Sequence, residues 1–196
     1  MLKFSTRRKE NNEMQNVLFF LEELSDDDVD WMISIGNLKD IVAGTVLIQQ
    51  GKPVDALYMV LKGSLSVSVT IANNTDKEIA RLSSAEVVGE MSFIDSRPPS
   101  ATVKAISDSF VLSIPQQELA TKLQIDVGFS SRFYRALALL LSSRLRGTVN
   151  QLGERQIPSD LEEAAASNSN DPADDMILGK ARLDWLLRRL PNNSML

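Results

Sequence analysis

The residues from 89 to 103 combine groups that could bind an anion with a group that could bind a sugar. Gly89 can adopt backbone angles closed to other residues, and the run from Glu90 to Ile94 is long enough for one helical turn. The free N–H groups at the start of such a turn attract phosphate. A carboxylate beside them repels phosphate but accepts hydrogen bonds from sugar hydroxyls. This combination suits a nucleotide.

The second half of the same run supplies further hydrogen-bond donors. Pro98 and Pro99 precede a Ser-Ala-Thr sequence whose hydroxyl and amide groups could close the other side of a small anion pocket. The serine and threonine side chains could equally be ordinary surface hydroxyls. The residues predicted to bind a ligand are Gly89, Glu90, Met91, Ser92, Ser100, Ala101 and Thr102.

The run GEMSFIDSRPPSATV resembles the phosphate-binding cassette of cyclic nucleotide-binding domains. These are the β-roll modules of cAMP-dependent protein kinase regulatory subunits, bacterial catabolite activators and cyclic-nucleotide-gated channels. Their pattern is Gly-Glu, an apolar, a small and two apolar residues, a short gap, then Pro-Arg-small-Ala-Thr-Val. It is matched without insertion by Gly89, Glu90, Met91, Ser92, Phe93, Ile94, Pro98, Ala101, Thr102 and Val103. The resemblance implies a β-roll that binds cAMP or cGMP.

One position departs from the family pattern. Where the family has an arginine that holds the cyclic phosphate, this chain has Pro99, which offers neither a charge nor an N–H group. A charge-assisted hydrogen bond is worth roughly 1.5–3 kcal/mol, so its loss predicts binding weaker by about one to two powers of ten. Arg97 is a possible phosphate contact instead, although a solvated loop charge is the simpler interpretation.

The composition argues against several classes of function. The chain has 196 residues and a formal net charge of −5, which gives no reason to expect general affinity for nucleic acid or anionic membrane. It has no cysteine and no histidine, which removes disulfides, thiol nucleophiles, imidazole bases and the usual zinc ligands. We therefore expect neither an enzyme nor a metal site.

The amino-terminal segment and the apolar runs argue against export. The basic opening MLKFSTRRKE is followed by polar residues, so it lacks the apolar core of a secretory signal. The longest candidate apolar run, from 136 to 141, is far shorter than a membrane span. A cytoplasmic protein without a transmembrane segment is the expectation.

Helices and strands that would hold the cassette are predicted on both sides of it. Apolar spacing from 17 to 24 predicts a helix, and Ser25 caps a second helix whose three leading aspartates suit the helix dipole better than a metal site. Short β-rich runs between glycine turns predict strands over 45–50, 56–61, 64–70, 77–82, 102–106 and 109–114. The predicted fold class is α+β: an antiparallel β-roll (double-stranded β-helix or jelly roll) with N-terminal helices and a long C-terminal helix.

After the roll, Pro115 is expected to begin a short helix, and a long amphipathic helix is expected over 131–152. Its apolar stripe includes Phe133, Leu137, Leu140, Leu141 and Leu145. The resemblance implies that this helix covers the ligand and, in bacterial members, forms a parallel dimer. Packing onto its own β-roll is the alternative. A homodimer is slightly favoured, and Leu140→Asp is expected to weaken it.

The composition divides the chain into four parts. They are an extension over 1–16, the cyclic nucleotide-binding-like domain over 17–152, a polar linker over 153–176, and a C-terminal amphipathic helix and tail over 177–196. The C-terminal helix is basic on one side, and docking on its own domain or dimer partner is favoured over a membrane or another protein. The part after 152 is too short and too polar for a helix-turn-helix, so no DNA-binding domain is expected.

Two functional hypotheses remain open. In the first, the chain is a non-enzymatic regulatory module that senses a cyclic nucleotide or another small anion and acts on an unidentified effector protein. In this case Glu90→Ala abolishes binding if a ribose is involved. In the second, the chain is a ligand-free dimerisation or interaction scaffold that kept the β-roll and lost the pocket through Pro99.

Overall fold

The computed structural model describes residues 20–72, 75–84, 86–153 and 177–189, and within these ranges it has eight strands and five helices. The strands are β1 (Asn37–Ile41), β2 (Val46–Ile48), β3 (Ala56–Lys62), β4 (Leu65–Ile71), β5 (Thr75–Leu82), β6 (Val87–Val88), β7 (Thr102–Ala105) and β8 (Ser109–Pro115). The helices are α1 (Asp26–Ile35), α2 (Glu90–Asp95), α3 (Gln116–Ile125), α4 (Val127–Gly153) and α5 (Ile177–Arg189). Residues 20–23 are also helical.

The strands form two four-stranded antiparallel sheets. Their orders are β1-β8-β3-β6 and β2-β7-β4-β5, so most neighbouring strands are distant in sequence. Such crossing between two sheets is the topology of a β-roll or jelly roll. The predicted α+β fold class, with helices before and after the roll, is confirmed.

Strand β3 separates two apolar cores, and this explains its unbroken apolar sequence ALYMVL. Leu57, Met59 and Leu61 belong to the cluster shared with the helices. Tyr58 and Val60 belong to a second cluster inside the roll. We refer to these as the helix-side core and the inner core. Successive residues of β3 therefore point alternately to the helix-side core and to the inner core, as the two-residue period of a strand requires.

Two strands were missing from the sequence-based prediction. β1 carries the polar sequence NLKDI and is an edge strand paired only with β8, from Asn37↔Ser113 to Ile41↔Ser109. Most of its side chains are exposed, so it has no apolar alternation that would mark it as a strand. β6 has only two residues and pairs with Tyr58 and Met59 of β3. Both strands depend on pairing with residues far along the chain.

Helix boundaries also differ from the prediction in places. The Ser25 cap is confirmed as a reciprocal capping box with Asp28. Pro115 is the last residue of β8 and the N-cap of α3, not the first helical residue. α4 begins at Val127 instead of 131, because the Asp126 carboxylate accepts a hydrogen bond from the Phe129 N–H at 2.8 Å.

The C-terminal helix is confirmed over Ile177–Arg189. The predicted extension over 1–16 and most of the linker over 153–176 lie outside the described residues. Among the helices that the structure describes, none is both long enough and apolar enough to cross a bilayer.

Candidate functional site

Gly89 makes the turn from strand β6 into the short helix α2. Its φ is 89°, in the left-handed region that favours glycine. A Cβ atom at this position would lie 2.9 Å from the carbonyl oxygen of Ala56, which is closer than real Cβ contacts allow. The first helical bond runs from the Phe93 N–H to the Gly89 carbonyl at 3.2 Å, so the N–H groups of the preceding turn have no partner within the helix.

The second half of the cassette is attached to the turn between β2 and β3. The Pro99 carbonyl accepts a hydrogen bond from the Gly51 N–H at 2.8 Å. The Thr102 hydroxyl accepts one from the Gln50 N–H at 3.1 Å. Ser100 is exposed, whereas Ala101 and Thr102 are half-buried.

Ile48 of β2 connects the two halves of the cassette. It pairs with Val103 in the sheet, and its Cδ1 lies 3.7 Å from the position a Cβ of Gly89 would take. Val88, Ile48 and Val103 all belong to the inner core. The fold therefore brings both halves of the predicted ligand-binding set to the same part of the roll, although they are separated by seven residues of sequence.

The carboxylate of Glu90, predicted to accept hydrogen bonds from a sugar, is held by an arginine of the long helix. Glu90 is 5% exposed, and its Oε1 lies 2.5 Å from Nη1 of Arg144. The Nη2 atom of the same guanidinium donates to Glu86 Oε2 and to the Val87 carbonyl, both at 2.7 Å. Arg144 thus links α4 to the residues on both sides of β6. We call Glu86, Glu90 and Arg144 the buried triad.

The two carboxylates around Arg144 favour its charged form. Burial alone would lower the pKa of Arg144. The charges of Glu90 and Glu86 raise it by more than burial lowers it, so the pKa lies above the ordinary value for arginine. Two carboxylates share a single guanidinium here, and Glu86 is only 2% exposed. Separating Arg144 from them would leave buried charge uncompensated.

Glu86 and Arg144 are site residues that the sequence analysis did not identify. A signal for Arg144 was present: it continues the spacing of Phe133, Leu137 and Leu140, so a charge stands on the buried side of an amphipathic helix. A charge in that position needs a partner from another part of the fold. For Glu86 the sequence carries no comparable signal.

Met91 and Arg97 lie toward solvent. Met91 is 54% exposed, and the Arg97 side chain is 83% exposed with its Nε 3.8 Å from Asp95 Oδ2. Arg97 borders a cavity of about 420 Å³ between α2 and the start of α3, together with Ser92, Ser96, Gln116 and Gln117. This position agrees with the interpretation of Arg97 as a solvated loop charge. A phosphate contact by Arg97 stays a prediction.

The five residues predicted to line a lid or dimer seam on α4 do not share one surface. Phe133, Leu137 and Leu140 are fully buried in the helix-side core, because α4 packs on its own domain. Leu141 is half-buried and Leu145 is 64% exposed. The three buried side chains therefore pack within this chain, and a lid or dimer role for the five residues stays a prediction.

Phe133 also connects α4 to the cassette helix. Its ring centroid lies 6.0 Å from that of Phe93 in an edge-to-face arrangement, and 5.7 Å from that of Phe20. The cassette is thus joined to α4 by an aromatic contact as well as by the buried triad. Within the described residues, no group of three or more acidic side chains could hold a metal ion.

Comparison with known proteins gives a family match for the region that contains the cassette. Residues 38–126 match the family model of the cyclic nucleotide-binding domain. The chain is 24% identical over 147 residues to the potassium channel KOR2 of Oryza sativa subsp. japonica, covering 75% of this chain and 20% of the channel. It is 27% identical over 118 residues to a cAMP-dependent protein kinase regulatory subunit of Blastocladiella emersonii, covering 60% of this chain and 29% of that subunit. The chain therefore spans less than a third of either relative.

Solved structures show the same architecture. The catabolite activator protein of Thermus thermophilus aligns with a TM-score of 0.59 and 25% identity, over 69% of this chain and 62% of that protein. A cyclic nucleotide-binding domain from Methylobacillus flagellatus aligns with a TM-score of 0.65 and 22% identity, over 75% of this chain and 86% of that domain. The second likeness supports the fold.

Proposed function

We propose that the chain is a non-enzymatic regulatory module whose binding of cyclic mononucleotides is weakened by Pro99, since residues 38–126 match the family model of the cyclic nucleotide-binding domain. The observation that supports this proposal is the geometry of the cassette. The structure has the Gly89 turn and a buried Glu90 carboxylate. In the sequence, Pro99 stands where the family pattern has an arginine. The proposed ligand is cAMP or cGMP.

In this proposal the N–H groups of the turn from Gly89 to Ser92 and those at Ser100 and Ala101 would hold the phosphate. Glu90 would accept the ribose hydroxyl. A carboxylate has about four lone-pair positions, so Glu90 can keep its Oε1 contact with Arg144 and still accept a sugar hydroxyl at Oε2. Arg144 would then position the carboxylate and place α4 against the occupied site.

The test is isothermal titration of the full chain with cAMP and cGMP, using wild type, Pro99→Arg and the matched control Pro98→Arg. We expect Pro99→Arg to tighten binding by about 10- to 100-fold, since it restores a charge-assisted contact to phosphate. Pro98→Arg adds the same charge one residue away and should leave the affinity near that of wild type. An equal gain in both variants, or no gain in Pro99→Arg, contradicts the proposal.

A ligand-free scaffold is the second candidate function, and the buried triad favours it. Arg144 joins α4 to the cassette through Glu86 and Glu90, and all three groups belong to this chain. A domain closed in this way has less need of a nucleotide to position its long helix. If neither wild type nor Pro99→Arg binds cAMP or cGMP, the scaffold function is supported.

A homodimer is proposed for either function. The exposed side of α4 carries Tyr134, Leu141, Leu145 and Val149, which lie within about one sixth of a turn of a common line along the helix. Their spacing of seven, four and four residues suits pairing with a second copy of the helix. The effector protein remains unidentified, and a cytoplasmic location stays a prediction from the sequence.

A further inference from the structure

The C-terminal helix α5 packs on a surface formed by α1 and the helical residues 20–23 before it. Leu186 is fully buried and belongs to the helix-side core, while Leu183 and Trp185 are partly buried against that core. Lys180, Leu187 and Arg188 lie on the exposed side. The amphipathic pattern of α5 is thus satisfied within this chain by one central leucine and two flanking apolar side chains.

Arg182 binds both an acidic side chain and the carbonyl end of a helix. Its Nε lies 2.9 Å from Asp26 Oδ1, and its Nη1 donates to the carbonyls of Leu21 at 2.9 Å and Glu22 at 3.0 Å. These carbonyls belong to the last turn of the helical segment 20–23, where carbonyl groups lack helical partners and a cation is favoured. The surface therefore selects a guanidinium by charge and by geometry.

A second arginine extends this recognition by two turns of α5. Arg189 forms an ion pair with Asp30, one turn beyond Asp26 on α1. Its guanidinium also lies over the ring of Trp185, 4.7 Å from the ring centroid. Two arginines seven residues apart on α5 therefore match two aspartates four residues apart on α1, on either side of the buried Leu186.

The attachment of α5 buries fewer side chains than that of α4. Only one of its side chains is fully buried among those described, whereas α4 buries Phe129, Phe133, Leu137 and Leu140. Asp26 and Arg189 are 76% and 55% exposed in their side chains, so their ion pairs are screened by salt. Small interfaces of this kind open at a lower free-energy cost than unfolding of the whole domain.

We propose that the face of α1 bearing Asp26 and Asp30, with the carbonyls of Leu21 and Glu22 and the site of Leu186, is a reversible docking surface for a basic amphipathic helix. Its occupant in this chain is α5. This helix is joined to α4 by the 23 residues from 154 to 176, which hold it near the surface at an effective concentration of about 1 mM. The inference is independent of whether the cassette binds a nucleotide.

The proposal is tested by emptying the surface in the full chain and refilling it from solution. The double variant Arg182→Glu/Leu186→Asp should release α5 while leaving the surface on α1 intact. A fluorescent peptide with the sequence of residues 177–189 is then titrated by anisotropy. We expect it to bind the double variant about tenfold or more tightly than wild type, where the attached α5 competes.

Two controls establish where the peptide binds. Arg188→Glu changes a charge on the exposed side of α5, so this variant should bind the peptide as weakly as wild type. Adding Asp26→Arg to the double variant should weaken peptide binding about fivefold or more, and a peptide carrying Arg182→Asp should regain affinity for that triple variant. The proposal is overturned if the double variant binds no better than wild type, or if Asp26→Arg has no effect.

A measurement on unmodified protein covers the case in which the variants do not fold. Amide hydrogen exchange of wild type is followed at about 0.05 M and 0.5 M NaCl, where the Debye length falls from about 14 Å to about 4 Å. We expect exchange over 179–189 to accelerate severalfold in high salt, while exchange over 129–140 is unchanged. Equal protection of 179–189 at both salt concentrations contradicts reversible docking.

Discussion

Arg144 is the side chain that ties the long helix to the cassette. It replaces water around two buried carboxylates and the Val87 carbonyl with three hydrogen bonds from one guanidinium. Such an arrangement need not add much stability compared with an apolar core, but removal of one partner is costly because the others stay charged and buried. The triad therefore determines how α4 is seated more than how strongly the domain folds.

Arg144→Leu is expected to lower the free energy of unfolding by about 3–5 kcal/mol, because the buried carboxylates of Glu86 and Glu90 lose the cation that hydrogen-bonds to both of them. The measurement is urea unfolding followed by circular dichroism. Arg146→Leu is the matched control, since Arg146 is exposed two residues further along α4, and it should change stability by less than about 0.5 kcal/mol.

The same experiment can separate lost charge compensation from lost packing. Adding Glu86→Gln and Glu90→Gln to Arg144→Leu removes the uncompensated charges, so stability should partly return. If Arg144→Leu and Arg146→Leu destabilise equally, the triad has no special role in holding α4.

Helix α4 presents different residues to three environments. Phe133, Leu137 and Leu140 face the helix-side core, and Arg144 continues that side to reach the cassette. Tyr134, Leu145 and Val149 are 49%, 64% and 55% exposed on another side. A helix packed on one side and apolar on a second is expected to bind a further helix there.

Leu145→Asp is expected to raise the dissociation constant of the proposed homodimer by at least about tenfold, since each buried leucine contributes about 1.5–3 kcal/mol. Sedimentation equilibrium measures it. Leu139→Asp is the control, because Leu139 is exposed and lies about 120° around α4 from Leu145. A monomeric wild type, or equal effects of the two variants, contradicts the dimer.

The earlier expectation for Leu140→Asp changes with the structure. Leu140 is fully buried in the helix-side core, so an aspartate there places a charge in an apolar interior. The variant is expected to unfold the domain, and any loss of association would follow from that. Leu145 is the side chain that tests the dimer.

Helices α1, α4 and α5 are connected through three aspartates of α1. Asp26 contacts Arg182 of α5, Asp28 accepts two hydrogen bonds from Arg132 of α4 at 2.6 and 2.8 Å, and Asp30 contacts Arg189. Arg132 and Arg144 lie twelve residues apart on α4, or about 18 Å along its axis. A displacement of α4 at the cassette would therefore act on α1 and on the surface that holds α5.

Asp28 should make the stability of these connected helices depend on pH. Burial alone would raise the pKa of Asp28. Hydrogen bonds from Arg132 and Ser25 lower it by more than burial raises it, so the pKa in the folded protein lies below the ordinary value. A lowered folded pKa contributes stability that is complete above the unfolded pKa of about 4 and is lost as the pH falls through the folded pKa.

Asp28→Asn is therefore expected to cost about 1.5–3 kcal/mol of unfolding free energy at pH 7. This gap in unfolding free energy between wild type and variant should shrink as the pH falls below about 4. Guanidinium unfolding at several pH values measures the gap. Asp27→Asn alters an exposed neighbour on the same turn and should show no such gap. A gap for Asp28→Asn that is constant down to pH 2 would refute the assignment.

Much of the fold and of the candidate site could be predicted from the sequence, because the signals are local. The two-residue period of β4, the Ser25 cap and the glycine turn into the cassette each depend on a few neighbouring residues. The cassette could be recognised for the same reason, since a helical turn, a carboxylate and a second donor loop follow one another within fifteen residues. Strand β1 was missed because its polar sequence is ordered by pairing with β8 and not by a local preference.

Tertiary structure alone decided which charges meet. Glu90 and Arg144 are 54 residues apart in sequence, Asp28 and Arg132 are 104, and Leu21 and Arg182 are 161. A sequence pattern shows that an arginine lies on the buried side of a helix, but it does not identify the carboxylate opposite, because that depends on how helices and sheets pack. For the same reason the apolar stripe of α4 was predicted, whereas its division into a buried core side and an exposed side required the fold.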